Sequence, residues 1–338
     1  MKENDIPEND SELLISTQKK EDNKNDKKSI YIDISEDFSY DKKRMLGKGS
    51  FGSIYMGINN KTKEDVAIKI ETLNDETSQL KLEHKAYKLL EEGKGFPKVY
   101  AFYENKRQNI LVMEMLGPSL EKLFNKYNKK FSLLTVVMIV EQILYRLEYI
   151  HSKNLIHRDM KPDNFLIGKK ENNKSTIYAI DFGLSKKYKA SKTGLHIPYR
   201  DGKYLTGTAR YASINTHLGV EQSRRDDIEA LGYMMVYLMK GSLPWQGMVN
   251  SDPEKKYDQI KKLKIKTKLQ NLCQGLPIET VKFIQYARDM RYDDKPDYHY
   301  LRELMRKIAK NEGQRIDYNK FDWISNKIEE EDIKEKDD

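Results

Sequence analysis

Three side chains and their spacing suggest chemistry before any fold is considered. Asp159 and Asn164 stand five apart in His157-Arg158-Asp159-Met160-Lys161-Pro162-Asp163-Asn164, and Asp181-Phe182-Gly183 begins seventeen residues after Asn164. A carboxylate can accept the proton of an attacking hydroxyl, while an amide oxygen and a second carboxylate are hard ligands suited to magnesium on a nucleotide. The pattern H-R-D-x-x-x-x-N followed by D-F-G fits that division, with Asp159 as proton acceptor and Asn164 and Asp181 as metal ligands. D-F-G alone would mean little; its order behind the first motif carries the reading.

Upstream lies Gly47-Lys48-Gly49-Ser50-Phe51-Gly52-Ser53-Ile54, a G-x-G-x-x-G-x-Ile stretch. Glycines there let backbone N–H groups approach phosphates without side-chain obstruction. Strand-forming residues follow Gly52, which excludes the dinucleotide-binding arrangement, where a helix must follow. Val66-Ala67-Ile68-Lys69 comes next at strand spacing and ends on a lysine that could reach phosphates as a point charge. Glu83, in the following helical stretch, is placed to pair inward with Lys69.

The elements that must position these groups fall into two kinds. Arg44–Lys48, Ser53–Ile58, Asp65–Glu71, Val99–Glu104 and Ile110–Met115 read as strands, and Leu80–Glu92 as a helix with Leu82, Ala86, Leu89 and Leu90 on one face. Gly117-Pro118 breaks the chain. Apolar-periodic helices follow at Leu120–Tyr127, Leu133–Lys153, Arg225–Lys240, Lys255–Lys264, Ile278–Met290 and Tyr298–Asn311. The expectation is an α+β chain: a sheet-rich lobe over 37–113, a hinge over 114–117 and a larger helical lobe over 118–326. Residues 1–36 read as a disordered polar arm, where Ile30–Ile32 could add a short strand, and 327–338 as an acidic tail.

Charge sharpens this division. The 338 residues carry +8 overall, with −4 on 1–36 and −4 on 327–338, which leaves +16 on residues 37–326. A surface this basic implies an anionic partner: acidic protein, phosphate, nucleic acid or membrane surface. Cys273 is the single cysteine, so no disulfide or cysteine-based zinc site can form within one chain, which fits a reducing compartment. The N-terminus lacks the apolar core of a signal peptide, and no run approaches the roughly 18 apolar residues of a membrane span.

The order glycine loop, V-A-I-K, helix Glu, H-R-D and D-F-G resembles that of the eukaryotic protein kinases. Finer features point within them. Leu116-Gly117-Pro118-Ser119-Leu120 follows the hinge, and Leu205-Thr206-Gly207-Thr208-Ala209-Arg210-Tyr211-Ala212-Ser213-Ile214-Asn215 stands where most kinases have A-P-E. Glu221-Gln222-Ser223-Arg224-Arg225-Asp226-Asp227, Leu243-Pro244-Trp245-Gln246-Gly247 and Asp293-Asp294-Lys295-Pro296-Asp297-Tyr298 complete a series that closely resembles the casein kinase I family over about residues 38 to 325.

That resemblance implies the bilobal protein kinase fold, ATP and Mg2+ as cofactors, and transfer of phosphate to Ser or Thr. In it Asp159 orients the substrate hydroxyl and accepts its proton, Lys161 offsets charge on the transferring group, and Thr208 hydrogen-bonds near Asp159. Lys69, held by Glu83, contacts the α- and β-phosphates. Backbone groups of Glu114 and Leu116 face adenine, Met113 gates the pocket behind it, and Gly47, Gly49, Ser50, Gly52, Ile54, Ala67 and Leu166 also belong to the nucleotide site. Arg210, Lys256 and the Gly247 N–H would bind a phosphate or acidic side chain N-terminal to the target residue, with Lys203 a candidate further contact.

The family also implies constitutive activity, although Arg158 is the residue that pairs with an activation-segment phosphate in many kinases. The expected partners are acidic or phosphorylated protein substrates met by a monomer, with no specific nucleic acid and no membrane anchor. The run Asp252-Pro253-Glu254-Lys255-Lys256 lacks the basic cluster common at this place in the family, which weakens a nuclear-targeting reading. The expected location is cytoplasmic, with nuclear entry left open.

Overall fold

Val66, Ile68, Ile110 and Val112 alternate with residues of the opposite face, as strands with one face turned to a core require. In the computed structural model, which describes residues 31–49, 52–73 and 78–325, they lie in an antiparallel six-stranded sheet. Its strands are β1 (Tyr31–Asp33), β2 (Phe38–Gly49), β3 (Gly52–Asn59), β4 (Asp65–Thr72), β5 (Val99–Glu104) and β6 (Gln108–Glu114), in the order β1-β2-β3-β4-β6-β5. Ile34 and Phe38 join the four named residues in the apolar cluster on one face. The short strand expected near Ile30–Ile32 is Tyr31–Asp33, paired with Ser39–Asp41 of β2. Most of the expected N-terminal arm and all of the expected acidic tail lie outside the described residues.

Helix α1 (Gln79–Leu90) begins where Ser78 Oγ accepts the N–H of Lys81 at 3.1 Å. Its inward face differs from the one read in the sequence. Leu80, Glu83, Ala86, Tyr87 and Leu90 are buried, whereas Leu82 and Leu89 are each 41% exposed. Ala86 and Leu90 of the expected face are buried, but the inward face is turned toward Leu80, Glu83 and Tyr87 rather than Leu82 and Leu89, with the Glu83 carboxylate drawn in by Lys69 as expected.

The chain divides into two compact units, one from the chain up to His84 with Lys98–Met115, the other from Lys85–Pro97 with the chain from Leu116 onward. The second unit is mainly helical. It contains α2 (Leu120–Lys126), α3 (Leu133–Ser152), α4 (Ile214–His217), α5 (Arg224–Lys240), α6 (Pro253–Lys266), α7 (Leu269–Leu272), α8 (Ile278–Asp289), α9 (Tyr298–Asn311) and α10 (Asp322–Ser325). Four short strands, β7 (Leu155–Ile156), β8 (Phe165–Ile167), β9 (Ile177–Ala179) and β10 (Lys186–Lys187), pair as β8–β9 and β7–β10.

Helices α3 and α5 form the centre of this unit, with α9 packed on α3 and α8 on α5. Ile139, Val140, Ile143 and Leu147 of α3, and Leu231, Met234 and Met235 of α5, are wholly buried. Local signals set the boundaries. Ser119, Ser132 and Asp297 cap α2, α3 and α9 through their side chains. Pro253 opens α6 behind the Asp252 cap, and Gly241 ends α5 in the left-handed region. Among the described residues no helix is long and apolar enough to cross a membrane.

Candidate active site

In the sheet unit, β-register decides which of the expected nucleotide residues share a face. Ile54 pairs with Lys69 and Ala67 with Met113, while Lys69 also pairs with Leu111. Residues directly opposite on paired strands lie on the same face. Ile54, Ala67, Lys69 and Met113 therefore stand together, on the face opposite the apolar cluster. Lys69 Nζ meets Glu83 Oε2 at 2.6 Å, and both residues are buried. A buried lysine needs such a partner to keep its charge.

Two residues absent from the sequence reading fix this pair. Glu71 Oε1 accepts the first N–H groups of α1, from Gln79 at 2.8 Å and Leu80 at 3.2 Å. Asn109, opposite Glu71 on β6, donates to Ser78 Oγ at 2.7 Å and Glu71 Oε2 at 3.3 Å. The N-terminus of the helix carrying Glu83 is thus bolted to the strand carrying Lys69.

The glycine stretch is a hairpin in which Gly47 pairs with Ile54 and Gly49 with Gly52. A Cβ at Gly52 would lie 2.2 Å from the carbonyl oxygen of Ile70, so only glycine lets β3 run so close to β4. Ser50 lies outside the described residues. The Glu114 N–H donates to Lys98 O at 2.8 Å. Leu116 begins the chain's return into the helical unit and is buried.

In the helical unit the H-R-D stretch lies between β7 and β8. Asp159 is 5% exposed, and both its oxygens are engaged. Thr208 donates to Oδ1 at 2.7 Å, Lys161 Nζ lies 2.7 Å from Oδ2, and Asn164 Nδ2 donates to Oδ2 at 3.2 Å and to the Asp159 carbonyl at 2.9 Å. With its nitrogen committed to Asp159, Asn164 has only its oxygen left to serve as a metal ligand. The β8–β9 register pairs Phe165 with Ala179, and Ile180 donates to the Asn164 carbonyl at 2.9 Å, so Asn164 and Asp181 sit at the same end of one hairpin. Leu166 is half-buried between buried Phe165 and Ile167.

Arg158 and Asp181 both adopt positive φ, 68° and 65°. Non-glycine residues hold that region only where their surroundings over-determine it. Here Asp227 does so for Arg158: its Oδ1 accepts Arg158 N–H at 2.9 Å, and its Oδ2 accepts His157 N–H at 2.9 Å and His151 Nε2–H at 2.8 Å. Burial alone would push the Asp227 carboxyl up; the hydrogen bond and charge of His151 outweigh it and hold the group below its ordinary value. For Asp181, its own N–H donates to Tyr87 Oη at 3.1 Å, and the next residue, Phe182, is wholly buried against Tyr87 and His157.

The segment bearing Thr208 passes close over this loop. A Cβ at Gly207 would lie 2.2 Å from Arg158 O, and Gly207 has φ 94°. Two residues beyond Thr208, the Arg210 guanidinium carbon lies 5.7 Å from the Tyr211 ring centre and 5.8 Å from that of Tyr237. Ser213 of the Ser-Ile-Asn stretch caps α4 and donates to Asp226 Oδ1 at 2.5 Å, and the Ile214 N–H donates to Glu229 at 3.2 Å. Burial pushes the Asp226 carboxyl up to about 7.

Of the expected anion contacts, Lys256 lies in the first turn of α6 and Gly247 in the turn before that helix, at φ 74°. Among the described residues neither Arg210 nor Lys256 is in an ion pair. Lys203 is placed differently: its Nζ lies 3.7 Å from Glu221 Oε2, which Lys186 meets at 2.9 Å. Arg158 also faces Glu221, while its Nε donates to Leu184 O at 2.6 Å. These three cations outweigh burial and hold the Glu221 carboxyl below its ordinary value. No motif spacing marks Glu221, yet its carboxylate gathers these three cations.

No group of three or more His, Cys, Asp or Glu placed to hold a metal occurs among the described residues. One carboxylate and one amide oxygen, Asp181 and Asn164, nevertheless fit magnesium, which takes few protein ligands and completes its shell with phosphates and water. A family model described as protein kinase domain matches residues 40–315.

Proposed function

The chain belongs to the protein kinase family, and from that premise we propose that it is a constitutively active Ser/Thr kinase of the casein kinase I type, selective for acidic or phosphate-primed segments. Kinases of this family use ATP and Mg2+, and the magnesium neutralises charge on the phosphates when bound. Asp159 accepts the proton of the substrate hydroxyl, held in orientation by Thr208 and Asn164. Lys161, against the same carboxylate, supplies positive charge to the transferring group. Lys69, braced by Glu83, contacts the nucleotide phosphates, Ile54 and Ala67 belong to the nucleotide site, and Met113 gates the pocket behind the adenine. Asn164 and Asp181 are the metal ligands.

The observation that carries the substrate preference is Arg210. It follows Thr208, the partner of the proton acceptor, by two residues, and it lies against aromatic rings with no carboxylate within ion-pair distance among the described residues. A guanidinium so placed can take a phosphate through two charge-assisted hydrogen bonds. The resemblance to casein kinase I implies that this anion lies a few residues toward the substrate's N-terminus from the hydroxyl that meets Asp159.

Constitutive activity is supported by Glu221. In switchable kinases the arginine before the catalytic Asp waits for an activation-segment phosphate. Here a buried carboxylate of the chain itself faces Arg158, Lys186 and Lys203.

A phosphorylation assay on a peptide library tests the whole reading. Members carry Ser, Thr or Tyr as acceptor and phosphoserine, Glu or Ala at each preceding position. Incorporation into Ser and Thr peptides with an anion before the acceptor is expected; preference for Tyr, or for basic flanks, would overturn it.

A further inference from the structure

Helix α6 buries a lysine among aromatic rings. Lys264 is 0% exposed, and its Nζ lies 4.8 Å from the Tyr233 ring centre and 5.1 Å from that of Trp245. A cation in such a place is costly unless its donors are met. They are met by two backbone carbonyls, Ala209 O at 2.8 Å and Ala212 O at 2.5 Å. Burial pushes the amine down to about 7, with Glu229 of α5 opposing that shift and Arg288 of α8 adding to it. Protonated or neutral, the amine keeps the two N–H donors that two carbonyls need.

Two further side chains hold the same stretch. Trp245 Nε1 donates to Arg210 O at 2.7 Å, and His217 Nε2 donates to Ala209 O at 3.1 Å. The carbonyls of residues 209, 210 and 212 are therefore gripped from α6, from the turn after α5 and from α4. Between those grips project Arg210 and Tyr211. Lys256 lies eight residues before Lys264 on the same helix, about 12 Å along its axis. Lys264 is thus the bond between the helix that carries one cation of the anion site and the backbone that carries the other.

We propose that Lys264 is a positioning residue that fixes the separation of Arg210 and Lys256, and so sets the preference for a phosphate or acidic side chain in the substrate. The proposal rests on the substrate reading above. An apolar side chain of similar volume would fill the space between Tyr233 and Trp245 but leave both carbonyls without their donor. The segment would then be free to drift, and the fork of Arg210 would lose its alignment with Lys256.

The test is Lys264→Met in the full chain, assayed on a peptide with phosphoserine three residues before the acceptor and on its alanine counterpart. Backbone amide exchange over residues 206–213 is followed in parallel. The KM for the phosphorylated peptide should rise roughly tenfold, as loss of a charge-assisted hydrogen bond implies, with the KM for the alanine peptide and for ATP little changed. Exchange should quicken over 206–213 and stay as it is in α3 and α5. An unchanged KM and unchanged exchange would overturn the proposal, as would equal losses on both peptides with faster exchange throughout. If the unaltered enzyme does not discriminate the two peptides, the substrate reading fails, and local exchange alone decides whether the grip exists. Should Lys264→Met not fold, Lys264→Gln, which keeps a donor for one carbonyl, takes its place and should show the same pattern at smaller amplitude.

Discussion

The Thr208 hydroxyl donates to Asp159 Oδ1 at 2.7 Å, across 49 residues of chain. That bond joins the segment that carries Arg210 to the residue proposed to accept the substrate proton. Because Lys161 and Asn164 hold the other oxygen, the carboxylate is fixed in direction as well as position. General base catalysis depends on that orientation as much as on basicity.

Asp159→Asn removes the proposed proton acceptor but can keep the hydrogen bond from Thr208. It should lower kcat by about 10²- to 10⁴-fold with little effect on ATP affinity. Asp181→Asn should also abolish transfer but weaken binding of magnesium–ATP. Steady-state kinetics with nucleotide titration distinguish the two, and near-normal transfer by either variant would refute its assigned role.

Gly207→Ala places a Cβ 2.2 Å from Arg158 O at a residue with φ 94°. Either the segment lifts from the catalytic loop or the loop moves, at a strain of about 1–3 kcal/mol. The expected result is a lowered melting temperature together with a large fall in kcat. A variant with the activity of the parent would show that the close passage is not needed.

Glu221→Gln leaves Arg158, Lys186 and Lys203 facing a neutral group. Like charges would then push the segment outward, and displacement of about 1 Å can cost on the order of 100-fold in rate. The parent enzyme treated with phosphatase should stay active while the variant loses activity. Full activity in the variant, or a reversible loss in the treated parent, would favour a phosphate switch over an internal carboxylate.

His217 provides a pH signature. Burial, with the positive charges of Lys264 and Lys261, pushes its imidazole from 6.5 down to about 4. The unfolded chain then binds more protons than the folded one between those values. The stability that His217 contributes is complete above about pH 6.5 and is lost as pH falls toward 4, amounting to about 2–4 kcal/mol at most. Asp226, pushed up to about 7, acts in the opposite direction across the whole of this range. The informative quantity is therefore the difference in unfolding free energy between the parent and His217→Gln at pH 7 and pH 4.5. It should shift against the parent at the lower pH; a constant difference would contradict the assignment.

Long periodic elements were legible in the sequence. Helices α3, α5 and α9 and strands β3 to β6 lie within a few residues of the apolar patterns that predict them. The face of α1 was legible only in part: Ala86, Leu90 and the inward Glu83 were placed, but Leu82 and Leu89 look no less apolar than the buried residues and yet lie 41% exposed, because a buried ion pair turns the helix. Strands of two or three residues, and four-residue α4 and α7, are too short to leave a period. Motif spacing named Asp159, Asn164 and Asp181, the family resemblance added Thr208, and the structure brings Asp159, Asn164 and Thr208 into direct contact. Glu71, Asn109, Glu221 and Lys264 carry no such signature. Each acts through a partner distant in sequence. In Lys261-Lys262-Leu263-Lys264-Ile265-Lys266, residue type does not separate the one buried lysine from the exposed and half-buried ones around it.

The central claim is that Arg210 and Lys256 read an anion on the substrate. It is tested most directly by the ratio of kcat/KM for a peptide with phosphoserine three residues before the acceptor to that for its alanine counterpart, measured at low and high salt. The unaltered enzyme should favour the phosphorylated peptide strongly at low salt and less so as exposed charges are screened beyond about 8–10 Å. Arg210→Ala and Lys256→Ala should each bring the ratio toward one while sparing the unphosphorylated peptide. A ratio near one in the unaltered enzyme, or equal losses on both peptides in the variants, would contradict the account.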